Sequence, residues 1–327
     1  MRPLISVITL TYKNYDRLFQ TIKSVIIQDY PNIEYIISDD GSGDFPEDEV
    51  RKFINDNTKD KSFNYKILVN KNNLGTVKNF NNAINKSSGD FIFPLSCNDF
   101  FVDSHVVSEI EDVFNRTNSE IVITSRINYN NNKLKCFIPH INERKQISKL
   151  DDSHKQYKAL VMTEHYEMFI GCSTYYNKRV FDKYGLFDEK YRLLEDIPFL
   201  EKYMWKEKAV LEPELVTIFY DGDTGVTLKK HKTHSLLEQD IDKYNEYGKN
   251  KHFNELDRKT RNHIKFGIER AKINNKIQLL FLCIRYLPRV LTYCLYLTKR
   301  HIASINDKKY INIYSDMFEK YGDIKKL

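Results

Sequence analysis

Residues 91–101 read FIFPLSCNDFF, an apolar run that leads directly into a polar pair, Asn98 and Asp99. A short apolar run of β-prone side chains is typical of a strand buried inside a sheet. Polar residues that follow such a strand lie at the carboxyl edge of the sheet, where open α/β proteins bind their ligands. The run therefore predicts a buried strand at Phe91–Leu95 that presents Asp99 to a ligand.

Two earlier segments repeat this arrangement. The β-prone residues Leu4–Leu10 run into Thr11 and Tyr12, and Ile33–Ser38 run into the tetrapeptide DDGS at positions 39–42. Because the carboxyl ends of parallel strands meet at one edge, three strands are expected to bring their polar ends together.

The order of the predicted elements indicates an α/β fold. Helices are predicted at Asp16–Gln28, Glu47–Asn57 and Val77–Asn85, with a further strand at Tyr65–Val69. This alternation of strand and helix favours a Rossmann-like, mostly parallel sheet with helices on both faces.

Beyond residue 100 the pattern becomes a mixture of strands and helices. Strands are predicted at Ile121–Ser125 and Gly171–Tyr176, a hairpin tip at Asn128–Asn132, and helices at Ser104–Asn115, Arg179–Tyr184 and Asp196–Lys206. From about residue 231 onward the residues favour helix, which predicts a C-terminal helical region.

The composition is that of a globular protein with an uneven charge distribution. Residues 229–327 contain 22 Lys and Arg against 11 Asp and Glu, whereas residues 1–228 contain 29 against 34. A basic tail suits an anionic partner, although lysines on solvated helices explain the same counts equally well. The aromatic residues of the tail lie among Leu and Ile rather than between Lys and Arg, which argues against nucleic acid as that partner.

The cysteines and the N-terminus bear on the compartment. The five cysteines are widely spaced and form no Cys-x-x-Cys pair, so the sequence indicates neither a disulfide framework nor a zinc site. The apolar stretch near the N-terminus is too short and too β-branched for a signal peptide. We therefore expect a cytoplasmic location.

The most apolar part of the tail is Ile277–Thr298. Arg285, Pro288 and Arg289 interrupt it, so it lacks the run of about 18 apolar residues that a membrane span requires. On a helical wheel the large apolar residues share one side, as in a helix that lies in a membrane interface. We expect peripheral contact with the inner face of the plasma membrane through residues 277–300. The alternative is a pair of proline-broken helices that pack on the body.

The polar strand ends suit the parts of a nucleotide. Tyr12 offers an aromatic face on which a base can stack, and Asp39 and Asp40 offer acceptors for a base N–H or ribose hydroxyls. The alternatives are a packed tyrosine and a tight surface turn closed by Gly41. We expect Thr11 and Asn98, which follow neighbouring strands, to line the same nucleotide site.

Two further acidic positions suit catalysis. Asp99 can hold Mg²⁺ or Mn²⁺ together with a substrate diphosphate, whereas an Asx turn is the alternative. Glu195 and Asp196 begin a predicted helix. In such a pair one carboxyl group can accept a proton and the other can orient it. Helix capping is the alternative for this pair.

Taken in order, these segments resemble glycosyltransferase family 2, inverting enzymes with the GT-A fold. The matching segments are ISVITLTYKN at 5–14, SVIIQ at 24–28, DDGS at 39–42, NLG at 73–75, SGDFI at 88–92, LSCND at 95–99, FDKYGLFDEKY at 181–191 and ED at 195–196. The resemblance covers roughly residues 4–228. It implies that residues 1–99 bind the nucleotide sugar and residues 100–230 the acceptor, and it leaves residues 231–327 as a basic helical region without family motifs.

The resemblance also implies a role for each candidate residue. Tyr12 and Asp40 would lie against the base with Asp39 close by, Asp99 would be the metal ligand below the diphosphate, and Asp196 would be the catalytic base beside Glu195. His231 and His234 could contact the diphosphate or the cation, with a solvated basic loop as the alternative.

One departure from the family pattern concerns the metal. The family usually has acidic residues at two or more of the positions that Ser96, Cys97 and Asn98 occupy here, so only Asp99 is ionised. The sequence therefore predicts a weaker site for Mn²⁺ or Mg²⁺.

The resemblance implies transfer of a sugar from a nucleoside-diphosphate sugar, UDP-linked, to a hydroxyl of a glycan or lipid-linked oligosaccharide, as in bacterial surface polysaccharide assembly. Residues 203–206 lack the Gln-x-x-Arg-Trp pattern of polymerising members, which favours transfer of a single sugar. One alternative is a nucleotidyltransferase that acts on a sugar phosphate, but no glycine-rich, lysine-containing phosphate loop follows Leu4–Leu10. The other alternative is a non-catalytic protein that binds carbohydrate or nucleotide.

Overall fold

The structure is a computed structural model that describes residues 2–59, 63–162, 169, 171–222, 235–248, 251–273 and 275–322. The strands in this part of the chain are β1 (Ile5–Thr11), β2 (Ile33–Asp39), β3 (Asn64–Val69), β4 (Phe91–Pro94), β5 (Phe100–Phe101), β6 (Ile121–Asn130), β7 (Lys133–Ile138), β8 (Thr174–Asn177) and β9 (Val210–Asp221).

The helices fall between these strands and along the tail. They are α1 (Leu18–Ile26), α2 (Glu47–Asn57), α3 (Thr76–Lys86), α4 (Val106–Thr117), α5 (Ile141–Ile147), α6 (Ser153–Val161), α7 (Arg179–Tyr184), α8 (Asp196–Met204), α9 (Ser235–Lys243), α10 (Arg258–Ala271), α11 (Lys276–Arg285), α12 (Leu287–Ile311) and α13 (Ser315–Gly322).

The strands form one sheet with the order β3-β2-β1-β4-β8-β6-β9-β5, and β7 pairs with β6 as a hairpin. The first four strands run parallel, as the alternation of strand and helix predicts. β6 also runs parallel to β9, whereas β8 lies antiparallel between β4 and β6. The predicted α/β fold with its parallel strands is therefore confirmed, and every antiparallel pair includes a strand that begins at residue 100 or later.

Apolar layers cover both faces of the sheet. Successive side chains of a strand point to opposite faces, so Ile5 and Val7 of β1 enter one layer while Ile8 enters the other. Helices α1, α2 and α4 cover the first layer, and α3, α6 and α8 cover the second. Helices therefore lie on both faces, as predicted.

Two predicted strands differ most from the structure in their bounds. The strand predicted at Ile121–Ser125 continues to Asn130, because pairing with β9 on one side and β7 on the other keeps its backbone extended. The strand predicted at Gly171–Tyr176 begins only at Thr174, after a 3-10 turn at Gly171–Ser173. The predicted hairpin tip is confirmed, with Asn131 and Asn132 in the left-handed region at φ 50° and 58°.

The apolar stretch of the tail is two helices rather than one. The chain breaks at Tyr286, and α11 and the stretch 287–322 are bent by 98° relative to each other. In the described part of the chain no single helix has the length and apolar character to cross a membrane, while this bent pair meets those criteria jointly.

The end of the tail packs on the body. Asp307 of α12 is fully buried, accepts hydrogen bonds from the backbone N–H groups of Phe137 and Ile141 at 3.1 Å, and lies 2.5 Å from Nδ1 of His140. Phe318 and Tyr321 of α13 complete the apolar layer on the first face of the sheet. The end of α12 and helix α13 are therefore part of the folded core.

Candidate active site

The carboxyl ends of β1 and β2 meet as the sequence predicts. Thr11 pairs with Asp39 in the parallel register, and the N–H of Asp40 donates to the carbonyl oxygen of Thr11 at 2.9 Å. β3 joins the same edge through Asn70, whose N–H donates to the carbonyl oxygen of Asp39 at 3.0 Å. The structure thus brings Thr11, Asp39 and Asp40 together.

The side chains of Asp39 and Asp40 fix the loops around them. Asp39 accepts hydrogen bonds from the N–H of Ser42 at 2.9 Å and from its hydroxyl at 2.5 Å. Gly41 adopts φ 73°, and a Cβ there would lie 2.4 Å from the backbone of Asn72, so this turn requires glycine. The hydrogen bonds of Asp39 and the conformation of Gly41 are those of the tight turn that the sequence offered as an alternative for residues 39–42.

Asp40 holds the next loop in the same way. Its two carboxylate oxygens accept the N–H groups of Leu74 and Gly75, each at 2.8 Å. Burial raises the pKa of Asp40, and these two N–H donors offset part of that rise. The carboxylate therefore shapes the loop at 73–75, which borders the predicted nucleotide site.

Tyr12 is the exposed member of this group. Its ring is 44% exposed, in contrast to the buried Thr11 beside it, and the ammonium group of Lys13 lies 5.4 Å from its centre. An open groove of about 460 Å³ begins at Lys13 and continues to Asp44 and Glu49. An aromatic face next to an open groove can stack on a base.

Asn98 is buried and tied to its surroundings on three sides. Its side-chain oxygen accepts the N–H of Arg17 at 2.9 Å, its own N–H donates to the Thr21 hydroxyl at 3.1 Å, and its carbonyl oxygen accepts the Tyr129 hydroxyl at 2.6 Å. It also adopts φ 75°, a conformation that asparagine tolerates better than most residues. These contacts fix the turn that presents Asp99.

Asp99 combines burial with an oxygen that lacks a partner. Its Oδ1 accepts the N–H of Asp221 at 2.8 Å, whereas its Oδ2 is buried without a hydrogen-bond partner in the structure. Burial raises the pKa of Asp99 well above its usual range, and the carboxylate of Asp221, at the end of β9, raises it further. A buried oxygen without a partner is costly, so the site favours a ligand for it.

These features fit a hard divalent cation. Carboxylate oxygens are the ligands that Mg²⁺ and Mn²⁺ prefer, and in phosphate sites one or two carboxylates and the substrate phosphates are sufficient. Among the described residues no group of three or more His, Cys, Asp and Glu side chains is placed to hold a metal. His231 and His234, the other predicted metal ligands, lie outside the described residues.

Glu195 and Asp196 form the second acidic site, at the start of α8. Asp196 accepts the N–H groups of Gly171 and Ile197, both at 2.7 Å. Burial and the charge of Asp196 raise the pKa of Glu195 to about 8, and burial also raises the pKa of Asp196. A Cβ on Gly171 would lie 3.1 Å from Oε1 of Glu195, so the glycine leaves room for the pair.

Arg126 connects the two acidic sites. This buried residue of β6 lowers the pKa of Asp99 and also that of Asp196. Burial raises the pKa of the Cys172 thiol to about 12, and the charges of Asp99 and Asp196 both add to the rise. Each carboxylate is therefore within electrostatic range of the same two side chains, and the structure brings the two predicted acidic sites towards one region.

Sequence analysis did not find Arg126 or Asp221. Arg126 follows the predicted strand end at Ser125, and the extension of β6 is what buries it. Asp221 is the last residue of a twelve-residue strand that was not predicted. The available signal was a lone Arg directly after an apolar, β-prone run. A strand that continues through such a residue buries the Arg, and a buried Arg requires a partner, which here would have indicated a nearby acidic site.

Comparison with known proteins gives a family. The model of the family Glycosyl transferase family 2 matches residues 6–185. The chain is 25% identical over 218 residues to an uncharacterized glycosyltransferase of Rickettsia prowazekii, which covers 65% of this chain and 63% of the relative. The chain spans less than two thirds of the length of the curated relatives it matches.

Two further relatives have named activities. A GalNAc(5)-diNAcBac-PP-undecaprenol beta-1,3-glucosyltransferase of Campylobacter jejuni is 34% identical over 100 residues, which is 30% of each chain. A UDP-Glc:alpha-D-GlcNAc-diphosphoundecaprenol beta-1,3-glucosyltransferase of Escherichia coli is 32% identical over 109 residues, which is 33% of this chain and 40% of the relative.

Solved structures share the fold at low sequence identity. S. aureus TarS 1-349 in complex with UDP-GlcNAc has a TM-score of 0.54 at 15% identity and covers 97% of this chain and 91% of its own. A mannosyltransferase from Pyrobaculum calidifontis in complex with GDP-Man and Mn2+ has a TM-score of 0.56 at 14% identity and covers 93% and 86%. The chain therefore belongs to glycosyltransferase family 2 and has the GT-A fold.

Proposed function

We propose that this glycosyltransferase moves a single sugar from a UDP-sugar to a hydroxyl of a lipid-linked glycan, with inversion at the anomeric carbon and with Asp196 as the general base. The observation that carries the proposal is the pair of backbone N–H groups, of Gly171 and Ile197, that donate to the buried Asp196 carboxylate at 2.7 Å. Burial raises the pKa of both carboxyl groups, but these two donors and the positive charge of Arg126 offset part of the rise for Asp196, whereas the charge of Asp196 adds to the rise for Glu195. A charged carboxylate in a dry site is suited to accept a proton.

The donor half of the proposal rests on the ends of β1, β2 and β4. The exposed ring of Tyr12 would stack on the base, and the loops held by Asp39 and Asp40 would form the walls around the ribose. The complexes of TarS with UDP and UDP-GlcNAc support a uridine nucleotide for a chain of the same fold.

Asp99 is the residue that would hold a divalent cation, Mn²⁺ or Mg²⁺, through its unpartnered Oδ2. When bound, such a cation supplies positive charge against the diphosphate that leaves. The Mn²⁺ complex of the related mannosyltransferase supports this assignment. Asn98 replaces an acidic residue of the family pattern and serves instead to hold the turn, as its three hydrogen bonds indicate.

The chemistry assigned to the chain's own groups is a direct displacement. Asp196 takes the proton of the acceptor hydroxyl, and the oxygen then attacks the anomeric carbon on the face opposite the leaving diphosphate, which inverts the configuration. The positive charge of Arg126 favours the ionised form of Asp196 and adds positive potential towards Asp99. A positioned general base typically contributes a factor of about 10² to 10⁴ in rate.

The acceptor assignment rests on two relatives whose names state undecaprenol-linked acceptors. An acceptor of this type lies in a membrane, which would place the enzyme peripherally on the inner face of the plasma membrane, in polysaccharide biosynthesis. Single-sugar transfer is favoured because residues 203–206 lack the pattern of polymerising members.

A donor screen tests the proposal. Nucleoside-diphosphate sugars are tested for thermal stabilisation of the protein and for slow hydrolysis, with and without Mn²⁺, and the preferred donor is then offered with a polyprenyl-diphosphate-linked sugar. We expect release of UDP and a product of opposite anomeric configuration by NMR. Release of pyrophosphate would instead indicate a nucleotidyltransferase. Binding without turnover under every condition would indicate a non-catalytic binding protein.

A further inference from the structure

We propose that the exposed apolar face of α11 and the first part of α12 is a docking surface for an anionic phospholipid membrane. We call this face the apolar elbow, and its principal residues are Ile277, Leu280, Phe281, Ile284, Leu291 and Leu295. Their exposure lies between 54% and 66%, so each presents most of an apolar side chain to the surroundings. The proposal concerns the partner of the tail and does not depend on the donor, the acceptor or the catalytic residues.

The apolar elbow is unusual within this molecule. Among the described residues before 277, the large apolar side chains that are exposed are Tyr12, Ile27 and Val69, and they are isolated in sequence. Single exposed apolar residues are normal on a protein surface, whereas a contiguous group marks a contact with a partner or a membrane. The group therefore requires a partner.

Charge selects the class of partner. Residues 270–306 contain seven Lys and Arg and no Asp or Glu. The whole of the apolar elbow therefore lies in a segment whose Lys and Arg side chains are not accompanied by any acidic residue. Exposed Lys276 and Lys299 flank the apolar residues. A symmetric pair of chains would bring these cations against each other, which is unfavourable. An anionic lipid surface is complementary to both the charge and the apolar residues.

The length of α11 and the bend after it indicate that the apolar elbow lies in the plane of the membrane interface. α11 has ten residues and is thus about 15 Å long, half of the roughly 30 Å hydrocarbon thickness of a bilayer. The bend of 98° turns α12 away from the line of α11. Helices of this kind bury one apolar face at the level of the headgroups.

The apolar elbow is attached to the body at both ends. On one side Leu282 is buried, and the Tyr286 hydroxyl donates to Glu269 of α10 at 2.8 Å. On the other side Ala303 and Asp307 of α12 are buried against the body. Docking on a membrane would therefore also orient the folded domain relative to the lipid surface.

Vesicle flotation of the full chain tests the proposal. The vesicles are phosphatidylcholine alone or phosphatidylcholine mixed with phosphatidylglycerol, at low and at high salt. We expect binding to the anionic vesicles that weakens as salt rises. Phe281→Glu should lower this binding about tenfold or more, because one large apolar side chain is lost from the interface. Ile27→Glu, which places the same charge on an exposed apolar site outside the tail, should bind like the wild type.

Two further arms separate the other outcomes. Lys276→Gln and Lys299→Gln should each lower binding to anionic vesicles about fivefold while binding to neutral vesicles stays the same. An alkaline carbonate wash should release the protein, since it lies on the bilayer. Urea unfolding curves should match the wild type in every variant, which excludes misfolding as the cause.

Three results would overturn the proposal. The first is a wild-type chain that does not float with anionic vesicles, and the second is Phe281→Glu binding like Ile27→Glu. The third is a dimer in light scattering that Phe281→Glu converts to a monomer, without vesicle binding by either form, because the apolar elbow would then be an interface between two copies.

Discussion

Asp196→Asn is expected to lower kcat by about 10² to 10⁴, whereas Glu195→Gln should leave turnover near pH 7 almost unchanged. Both substitutions replace a carboxyl group by a neutral amide of similar shape, at adjacent positions of one helix end. The pair thus forms a matched comparison in which only the assigned role differs. UDP binding should survive in both variants, since neither side chain belongs to the proposed nucleotide site.

The location of the proton explains the difference. Burial and the charge of Asp196 together raise the pKa of Glu195 to about 8, which favours its neutral form at pH 7. Asp196 is stabilised as an anion by the N–H groups of Gly171 and Ile197 and by Arg126. Gln at position 195 therefore imitates the state that Glu195 already has, while Asn at position 196 removes the base.

The same arrangement has a cost in stability that depends on pH. The folded-state pKa of Glu195 is about 8 against an ordinary 4.5, so between these values the folded chain keeps a proton that the unfolded chain has lost. The free energy of unfolding must then fall as pH rises through this window. At ~1.4 kcal/mol per pH unit, the decrease is at most about 5 kcal/mol. Glu195→Gln removes this decrease.

Two measurements test the roles assigned to Glu195 and Asp196. Steady-state turnover at pH 7 gives kcat for the wild type and both variants, and urea unfolding at pH 5 and pH 8 gives their stabilities. A large loss of turnover in Glu195→Gln together with an active Asp196→Asn would assign the base to Glu195. Equal changes of stability between pH 5 and pH 8 in the wild type and in Glu195→Gln would show that Glu195 titrates normally, and the reasoning from burial would be wrong.

Three other substitutions test separate parts of the molecule. Asp99→Asn should end stimulation by Mn²⁺ and lower turnover at least about a hundredfold, because several kcal/mol of charge stabilisation are lost. A metal titration in which Mn²⁺ still stimulates the variant would contradict this expectation. Tyr12→Ala should weaken UDP binding, measured by calorimetry, about fivefold to a hundredfold, which is the range for loss of one stacked base. Tyr12→Phe keeps the aromatic ring and should bind UDP normally. Equal UDP affinities of Tyr12→Ala and the wild type would exclude stacking. Phe318→Ala should lower the free energy of unfolding by about 3–5 kcal/mol in urea, because Phe318 lies 5.0 Å from the ring of Tyr129 in a buried cluster. The control Ile313→Ala, at a residue that is 70% exposed, should change the stability by less than about 0.5 kcal/mol, and a similar value for both would contradict the packing argument.

The first hundred residues could be predicted because local pattern and tertiary structure agree there. Helix α2 has the predicted bounds Glu47–Asn57, and the predicted strand at Ile33–Ser38 is only one residue shorter than β2. Apolar runs between helices of regular period leave few alternatives to a parallel sheet. The edge that collects Asp39 and Asp40 follows from the direction of the strands, without knowledge of any side-chain contact.

The rest of the site depends on contacts that the sequence pattern does not encode. β6 continues past Ser125 only because β7 and β9 pair with it, and this extension places Arg126 between two acidic sites. The proton on Glu195 depends in the same way on the packing around Gly171. Long-range pairing overrides local preference at such positions, so strand ends are the least predictable part of an element.

The apolar residues of the tail differ in exposure along its length. The apolar residues of α11 and α12 predicted either a membrane-facing helix or helices packed on the body, and in the structure the first part of α12 is exposed while its end packs on the body. Its first part carries the exposed Leu291 and Leu295, while Asp307 near its end is buried. Phe318 then packs on Tyr129, whose hydroxyl donates to the carbonyl of Asn98, next to Asp99. The tail is thus no separable anchor, because its last helix forms part of the wall behind the proposed metal ligand.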